Sequence, residues 1–282
     1  MRARILLMAL SWLMPVLVQA EPTRVVTADG AITETVYRLG MESLLVAVDT
    51  TSGFPEETQS LPKIGYLRAL PFEGVLAMRP DVLITSEQAA PQDNLDRLVK
   101  AGVQVETLPM AWTPEASLER IVAVGDILHA RPQAEALVTE LSSKISRVQQ
   151  DAANRVKRPR VLFILAAGNH SVMLAGQGTA ASALLDTVNA DNAVTAIQGY
   201  KPASREAILA SQPDAIVIAE STPGQFDINK WQELAHLDAW KSGHHMVADS
   251  MLLLGFGPRL PEAMDALNRV LPSGSAVVND DS

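Results

Sequence analysis

Apolar runs of four or five residues, rich in β-branched side chains, alternate along this chain with stretches whose apolar positions recur every three or four residues. In the first third, residues 24–27, 44–48, 81–84 and 103–107 read as strands. Residues 31–39, 72–78 and 94–101 read as helices. Gly40 and Gly102 stand just past two of these helices, where a left-handed residue ends a helix at no Cβ cost. Arg79-Pro80 closes the other. Alternation of this kind predicts a parallel sheet covered by helices.

At Pro114 the alternation stops. Residues 114–154 carry no strand pattern, while 117–128 and 132–148 keep apolar residues at helical spacing. Pro132 suits the first turn of the second piece. After Lys157-Arg158-Pro159-Arg160 the alternation resumes, with strands at 161–165 and 215–218 and helices at 180–188, 205–210 and 261–270. The polar tail 272–282 is expected to fray. The predicted architecture is α/β: two lobes, each a mainly parallel sheet flanked by helices, joined by a single long backbone helix. The expected divisions are a leader at 1–20, a first lobe at 21–113, an inter-lobe helical segment at 114–156 and a second lobe at 157–282. The halves also echo each other. Glu73-Gly-Val-Leu-Ala-Met-Arg-Pro-Asp in one half matches Glu206-Ala-Ile-Leu-Ala-Ser-Gln-Pro-Asp in the other, and a strand follows each. An echo of this sort speaks to architecture first.

The first twenty residues depart from the pattern. Arg2 and Arg4 precede the apolar stretch 5–18, and Val18-Gln19-Ala20 offers small residues for cleavage. This reads as a secretory signal, too short for an anchored helix of about 20 residues. Its loss takes two Arg and no acid, moving the net charge from -9 to -11. An acidic chain with no basic block is a poor partner for nucleic acid, so none is expected. There is no cysteine, hence no thiolate nucleophile, no Cys-based metal site and no acylated Cys at a mature start. A protein free in the periplasm is expected, and a monomer.

Few residues advertise chemistry. No nucleophile elbow and no P-loop is present. Gly176-Gln-Gly178-Thr-Ala-Ala181 has the small-residue spacing of a dinucleotide turn, but it lacks the acid expected about 20 residues on, so a structural turn is the better reading. Of the five histidines, His129 falls in the long helical region and His236, His244 and His245 in a polar late segment, without metal-site spacing. His170 follows the 161–165 strand in a loop that can face the first lobe. The loop Gly65-Tyr66-Leu67-Arg68, preceded by Pro62-Lys63, can present a phenol to a cleft. Phenolate is a known axial donor to haem iron, and a free phenol titrates near about 10, so iron must displace its proton. A neighbouring Arg favours that loss or pairs with a ligand carboxylate. From the residues alone, Tyr66 is either such a ligand or a half-buried packing side chain.

Six segments in order carry a family resemblance: Val48-Asp49-Thr50-Thr51-Ser52, the run 61–68 through Gly65-Tyr66-Leu67-Arg68, the run 73–84, Ala175-Gly176-Gln177-Gly178-Thr179-Ala180-Ala181, Gly199-Tyr200-Lys201-Pro202, and Leu254-Gly255-Phe256-Gly257-Pro258-Arg259. The chain resembles the haem-binding periplasmic proteins of bacterial haem ABC importers, which belong with the cobalamin and siderophore binders in the class with a helical backbone between the lobes. The resemblance implies a non-enzymatic carrier whose cargo is haem, whose partner is an inner-membrane ABC permease, and which can draw on an outer-membrane haem receptor system. It makes Tyr66 the axial iron ligand and places Arg68 beside it. Arg259 meets haem from the other lobe, Tyr200 and Lys201 pair a propionate at the cleft mouth, and Lys63 lies among the contacts. Glu73 and Glu206 become the acids, one per lobe, that dock on permease arginines. His170 stands where some relatives ligate a second, stacked haem. Cobalamin binders tend to carry Trp where Tyr66 stands, and siderophore binders lack the Tyr-x-Arg pair; a periplasmic enzyme on this fold would need the motifs found missing.

Overall fold

The computed structural model describes residues 23–167 and 171–272. The leader at 1–20, His170 and nearly all of the tail fall outside these residues. The first lobe runs β1 (Val25–Ala28), α1 (Gly30–Arg38), β2 (Leu45–Val48), α2 (Phe72–Ala77), β3 (Val82–Ser86), α3 (Gln92–Lys100), β4 (Gln104–Leu108) and α4 (Pro114–Ile127). Its sheet has the order β2-β1-β3-β4, parallel throughout. All five β3 side chains are buried, and β1 is buried on both faces, as a helix-covered parallel sheet requires.

α5 (Arg131–Ala153) follows, 23 residues or roughly 35 Å at the helical rise. The second lobe comprises β5 (Arg160–Ala167), β6 (Ser171–Ala175), α6 (Ala180–Thr187), β7 (Asp191–Asn192), β8 (Tyr200–Pro202), α7 (Arg205–Ser211), β9 (Ala215–Glu220), α8 (Gln232–His236), α9 (Asp238–Lys241), β10 (His245–Asp249), α10 (Ser250–Leu254) and α11 (Leu260–Val270). Its sheet has the order β10-β9-β5-β6-β8, with β7 beside β5. Three of its five strand pairings are parallel, as expected of a mainly parallel sheet, and two are antiparallel. β10, β9 and β5 run parallel, whereas β6 is antiparallel to β5 and β8 is antiparallel to β6. An antiparallel neighbour needs only a tight turn, so no helical stretch separates β5 from β6 in the sequence.

The helical region 114–156 is two helices. The chain breaks at 128–130, where His129 takes a positive φ of 55°. α4 packs through Ile121 and Val124 on Ile32 and Val36 of α1, in the core of the first lobe. α5 belongs to both lobes. Ala134, Leu137 and Leu141 enter that same core, whereas Ile145, Val148 and Ala152 enter the second lobe's core with Phe163, Leu184 and Met264. Gly125 permits the close α4–α5 approach, since a Cβ there would fall 2.5 Å from Ala134 Cβ.

A second tie between the lobes runs along α1 and α4. Ser117 donates to the Phe256 carbonyl at 2.5 Å, and the buried Arg120 guanidinium donates to the Gly255 and Phe256 carbonyls at 2.8 and 3.0 Å. Gly257 lies against Ala31, and Met251 reaches Gly30. Arg259 grips Glu34 with two bonds, 3.0 Å from Nε and 2.5 Å from Nη2. These contacts close the floor of the space between the lobes.

Candidate functional site

Open α/β sheets bind ligands beyond the carboxyl ends of their strands. In the first lobe the long connection after β2 occupies that position, and its fold is fixed by a buried polar cluster. The Asp49 carboxylate accepts from the Thr51 N–H at 3.1 Å, from Thr51 Oγ1 and from Ser52 Oγ at 2.8 Å. Ser52 Oγ lies 2.7 Å from Thr33 Oγ1, which in turn lies 2.7 Å from Thr27 Oγ1. Burial pushes the Asp49 carboxyl up, against the opposing hydrogen bonds from Ser52 and Thr51. Gly30 is needed here: a Cβ would meet the Thr51 carbonyl oxygen at 2.6 Å.

The same connection then returns to the strand. The Lys63 ammonium donates to the carbonyls of Ser52 at 2.7 Å and Thr58 at 3.1 Å, and desolvation lowers its pKa. Lys63 therefore ties the connection to itself, with its charge committed to two carbonyls. The Ile64 N–H donates to Val48 and the Thr50 N–H to Gly65, so the backbone is held up to the motif. Gly65 adopts φ +104°, a conformation open to glycine, with Pro71 packed against it. The next residue, Tyr66, is 46 % exposed, while Leu67 beyond it is buried as an anchor. Arg68 is exposed and bonded to the Gln88 side-chain oxygen.

From the second lobe, Tyr200 approaches the same space. Burial raises the pKa of its phenol, opposed by the Ala181 backbone and the Thr179 side chain at the start of α6. The positive charge of Arg68 in the first lobe also lowers it. The two tyrosines differ in exposure: Tyr200 is half-buried against the second lobe's core, whereas Tyr66 is 46 % exposed. Lys201 is exposed on β8, whose register with β6 pairs it to Leu174.

Arg259 is placed elsewhere. Its side chain is 14 % exposed and Glu34 5 %, and its guanidinium stacks 4.0 Å over the Phe54 ring. It borders a cavity of about 570 Å³ beside α1 with Tyr37, Pro55 and Glu57, a space whose lining does not include Tyr66. Glu73 and Glu206 both lie exposed in the first turns of α2 and α7. Glu73 is bonded to Arg97 at 3.2 Å, and Arg97 stacks on Phe72. The histidines disperse: His236 bonds the Gln232 carbonyl, His244 bonds that of Val270, and His245 stacks on Trp240. Among the described residues no cluster of three potential metal ligands forms, and no helix is long and apolar enough to cross a membrane.

Sequence reading missed Asp49, Glu34, Ser117 and Arg120 as organisers of the site. Glu34, Ser117 and Arg120 are polar residues buried by partners distant in sequence, pairings that no local pattern shows, while Asp49 is bonded to the nearby Thr51 and Ser52 and only its burial is non-local. The Gly176 reading fares better. A Cβ there would clash with the Ile197 carbonyl oxygen, so the glycine serves a close backbone crossing before α6.

Residues 25–252 match the family model described as periplasmic binding protein. The chain belongs to that family. It is 36 % identical to a periplasmic haem-binding protein from Pseudomonas aeruginosa, with a TM-score of 0.80 over 90 % of this chain and 94 % of that one. It is 27 % identical to an ABC transporter substrate-binding lipoprotein of Bacillus subtilis strain 168, covering 89 % of this chain and 81 % of the relative. A vitamin B12-binding protein of Pectobacterium carotovorum is 26 % identical over 72 % of this chain and 73 % of its own length. The protein is thus a periplasmic substrate-binding protein of an ABC transporter, with haem binders and B12 binders among its relatives.

Proposed function

We propose that this protein captures ferric haem between its lobes and delivers it to the inner-membrane permease of an ABC importer, without catalysis. The observation that carries the reading is Tyr66, a half-exposed phenol held at the cleft by a glycine of φ +104° with Arg68 two residues on. Oxygen from a phenolate suits ferric iron. A haem seated on Tyr66 can pair its propionates with Lys201 and with Arg68, whose guanidinium is held by the neutral Gln88 side chain and carries no carboxylate partner among the described residues. Lys63, whose ammonium is spent on loop carbonyls, acts by fixing the connection that carries Tyr66. Arg259 acts by holding the floor of the cleft through Glu34. The tied floor and the shared α5 favour a small closure over a wide hinge motion. Glu73 and Glu206 face the permease, one from each lobe, and the haem comes from an outer-membrane receptor system. His170 is kept as a ligand for a second haem.

A second reading, cobalamin as cargo, is favoured by the relatives named for vitamin B12. Titration of the purified protein with haemin and with cyanocobalamin separates the two. Haem as cargo predicts saturable haemin binding with a ferric tyrosinate spectrum and no competition by cobalamin. Tight cobalamin binding that displaces haemin would reverse the assignment.

A further inference from the structure

The internal echo extends well beyond the two glutamates. In α2, Glu73, Leu76 and Ala77 are exposed while Val75 is buried; in α7, Glu206, Leu209 and Ala210 are exposed while Ile208 is buried. Residues at i, i+3 and i+4 share one face of a helix, so each lobe presents an acid, a leucine and an alanine together. Much of the repeat has an architectural reason. Both helices end in a non-glycine residue of positive φ before a proline, Arg79 at 47° and Gln212 at 37°. The Asp81 carboxylate accepts from the Arg24 N–H at 2.7 Å, and the Asp214 carboxylate accepts from the Arg160 N–H at 2.8 Å. Each bond pins the entry to a central strand. Val75 and Ile208 fill their cores. The leucines have no such reason, since Leu76 is 36 % and Leu209 48 % exposed.

A single exposed leucine is ordinary surface. Two at equivalent positions, each one turn beyond an exposed acid in a different lobe, point to a partner that offers the same socket twice. A monomer with two such patches fits a permease built of two like subunits. We propose that Leu76 and Leu209 are the apolar anchors of the transporter-docking face, each entering an apolar recess of one permease subunit beside the base that receives Glu73 or Glu206. This rests on the reading of those two acids as the permease-facing pair. The glutamates supply attraction and orientation, and the leucines supply contact that survives salt.

The test uses the importer's own permease–ATPase complex in lipid nanodiscs, with the binding protein as wild type, L76S, L209S, and the control E73A/E206A, each loaded with haemin. Docking is measured by interferometry at low and high salt. Each leucine variant should melt and take up haemin as wild type does, yet dock about tenfold or more weakly, with the deficit persisting at high salt; L76M should restore docking. Weak docking of E73A/E206A alongside normal docking of L76S and L209S would overturn the leucine proposal alone. Normal docking of E73A/E206A would remove the reading it rests on. Self-association of the wild type that L76S abolishes, seen by sedimentation, would assign the leucines to a second copy of this chain and overturn the proposal as well.

Discussion

Replacing Arg259 with Met tests how the cleft floor is held. The guanidinium makes two bonds to Glu34 across the lobes, and both side chains are almost out of solvent. Met keeps much of the buried stem but strands the Glu34 carboxylate. Breaking a buried pair from one side costs about 3–5 kcal/mol at neutral pH. Glu34 already has a carboxyl raised by burial, with Arg259 the chief opposing influence, so in R259M it rises further. The sign of the pH dependence follows. Where the folded-state pKa lies above the unfolded one, the folded protein holds the extra proton, and stability falls as pH rises between the two values by about 1.4 kcal/mol per unit. R259M should therefore resemble wild type near the unfolded carboxylate pKa and lose its 3–5 kcal/mol as pH climbs to 8. Adding E34Q should recover most of the loss, because no buried charge then lacks a partner. Urea unfolding followed by circular dichroism from pH 4 to 8 measures this. A loss below about 1 kcal/mol at pH 7.5, or a loss equal at every pH, would refute the reasoning.

Three further outcomes follow from the site's scaffolding. K63M removes two hydrogen bonds from the connection that carries Tyr66, so a stability loss of about 2–3 kcal/mol and weaker haemin uptake are expected, read by thermal melting and absorbance titration; full uptake would separate Lys63 from the site. The Asp49 carboxyl is raised by burial, so the wild type loses stability from this group as pH rises through the interval above the ordinary carboxylate value. D49N should flatten that part of the stability–pH curve, and an unchanged slope would assign it to other groups. G176A sets a Cβ against the Ile197 carbonyl; overpacking of this kind costs about 1–3 kcal/mol, visible as a lowered melting temperature, and an unchanged melt would show that the crossing can give way.

What the sequence revealed and what it hid divide along physical lines. Strands β1, β2, β3, β5 and β9 were readable because burial on both faces makes them near-continuous apolar runs between helices, and the edge strand β4 because its apolar and polar residues alternate. β7 and β8 were not, since strands of two and three residues are too short to show a pattern. β10, with His245 and Asp249 in an edge strand, looked polar. The helical stretch 114–154 was legible as two helical pieces, with Pro132 marking the start of the second, but the positive φ of His129 that makes the break was not. Within the site, Tyr66 stood out because glycine precedes it and Arg68 follows closely. Glu34 and Arg259, 225 residues apart, could meet only in the folded chain.

Ligation of the cargo's iron by Tyr66 is most directly tested by titrating purified wild type and Y66A with haemin, read by absorbance and by electron paramagnetic resonance of the ferric iron. The wild type should give a high-spin ferric signal with the charge-transfer band of tyrosinate ligation, saturating at a fixed stoichiometry. Y66A should lose that band and bind haemin far more weakly, while Y200F retains both. An unchanged spectrum in Y66A, or loss of the band in Y200F instead, would contradict the assignment of the cargo's iron to Tyr66.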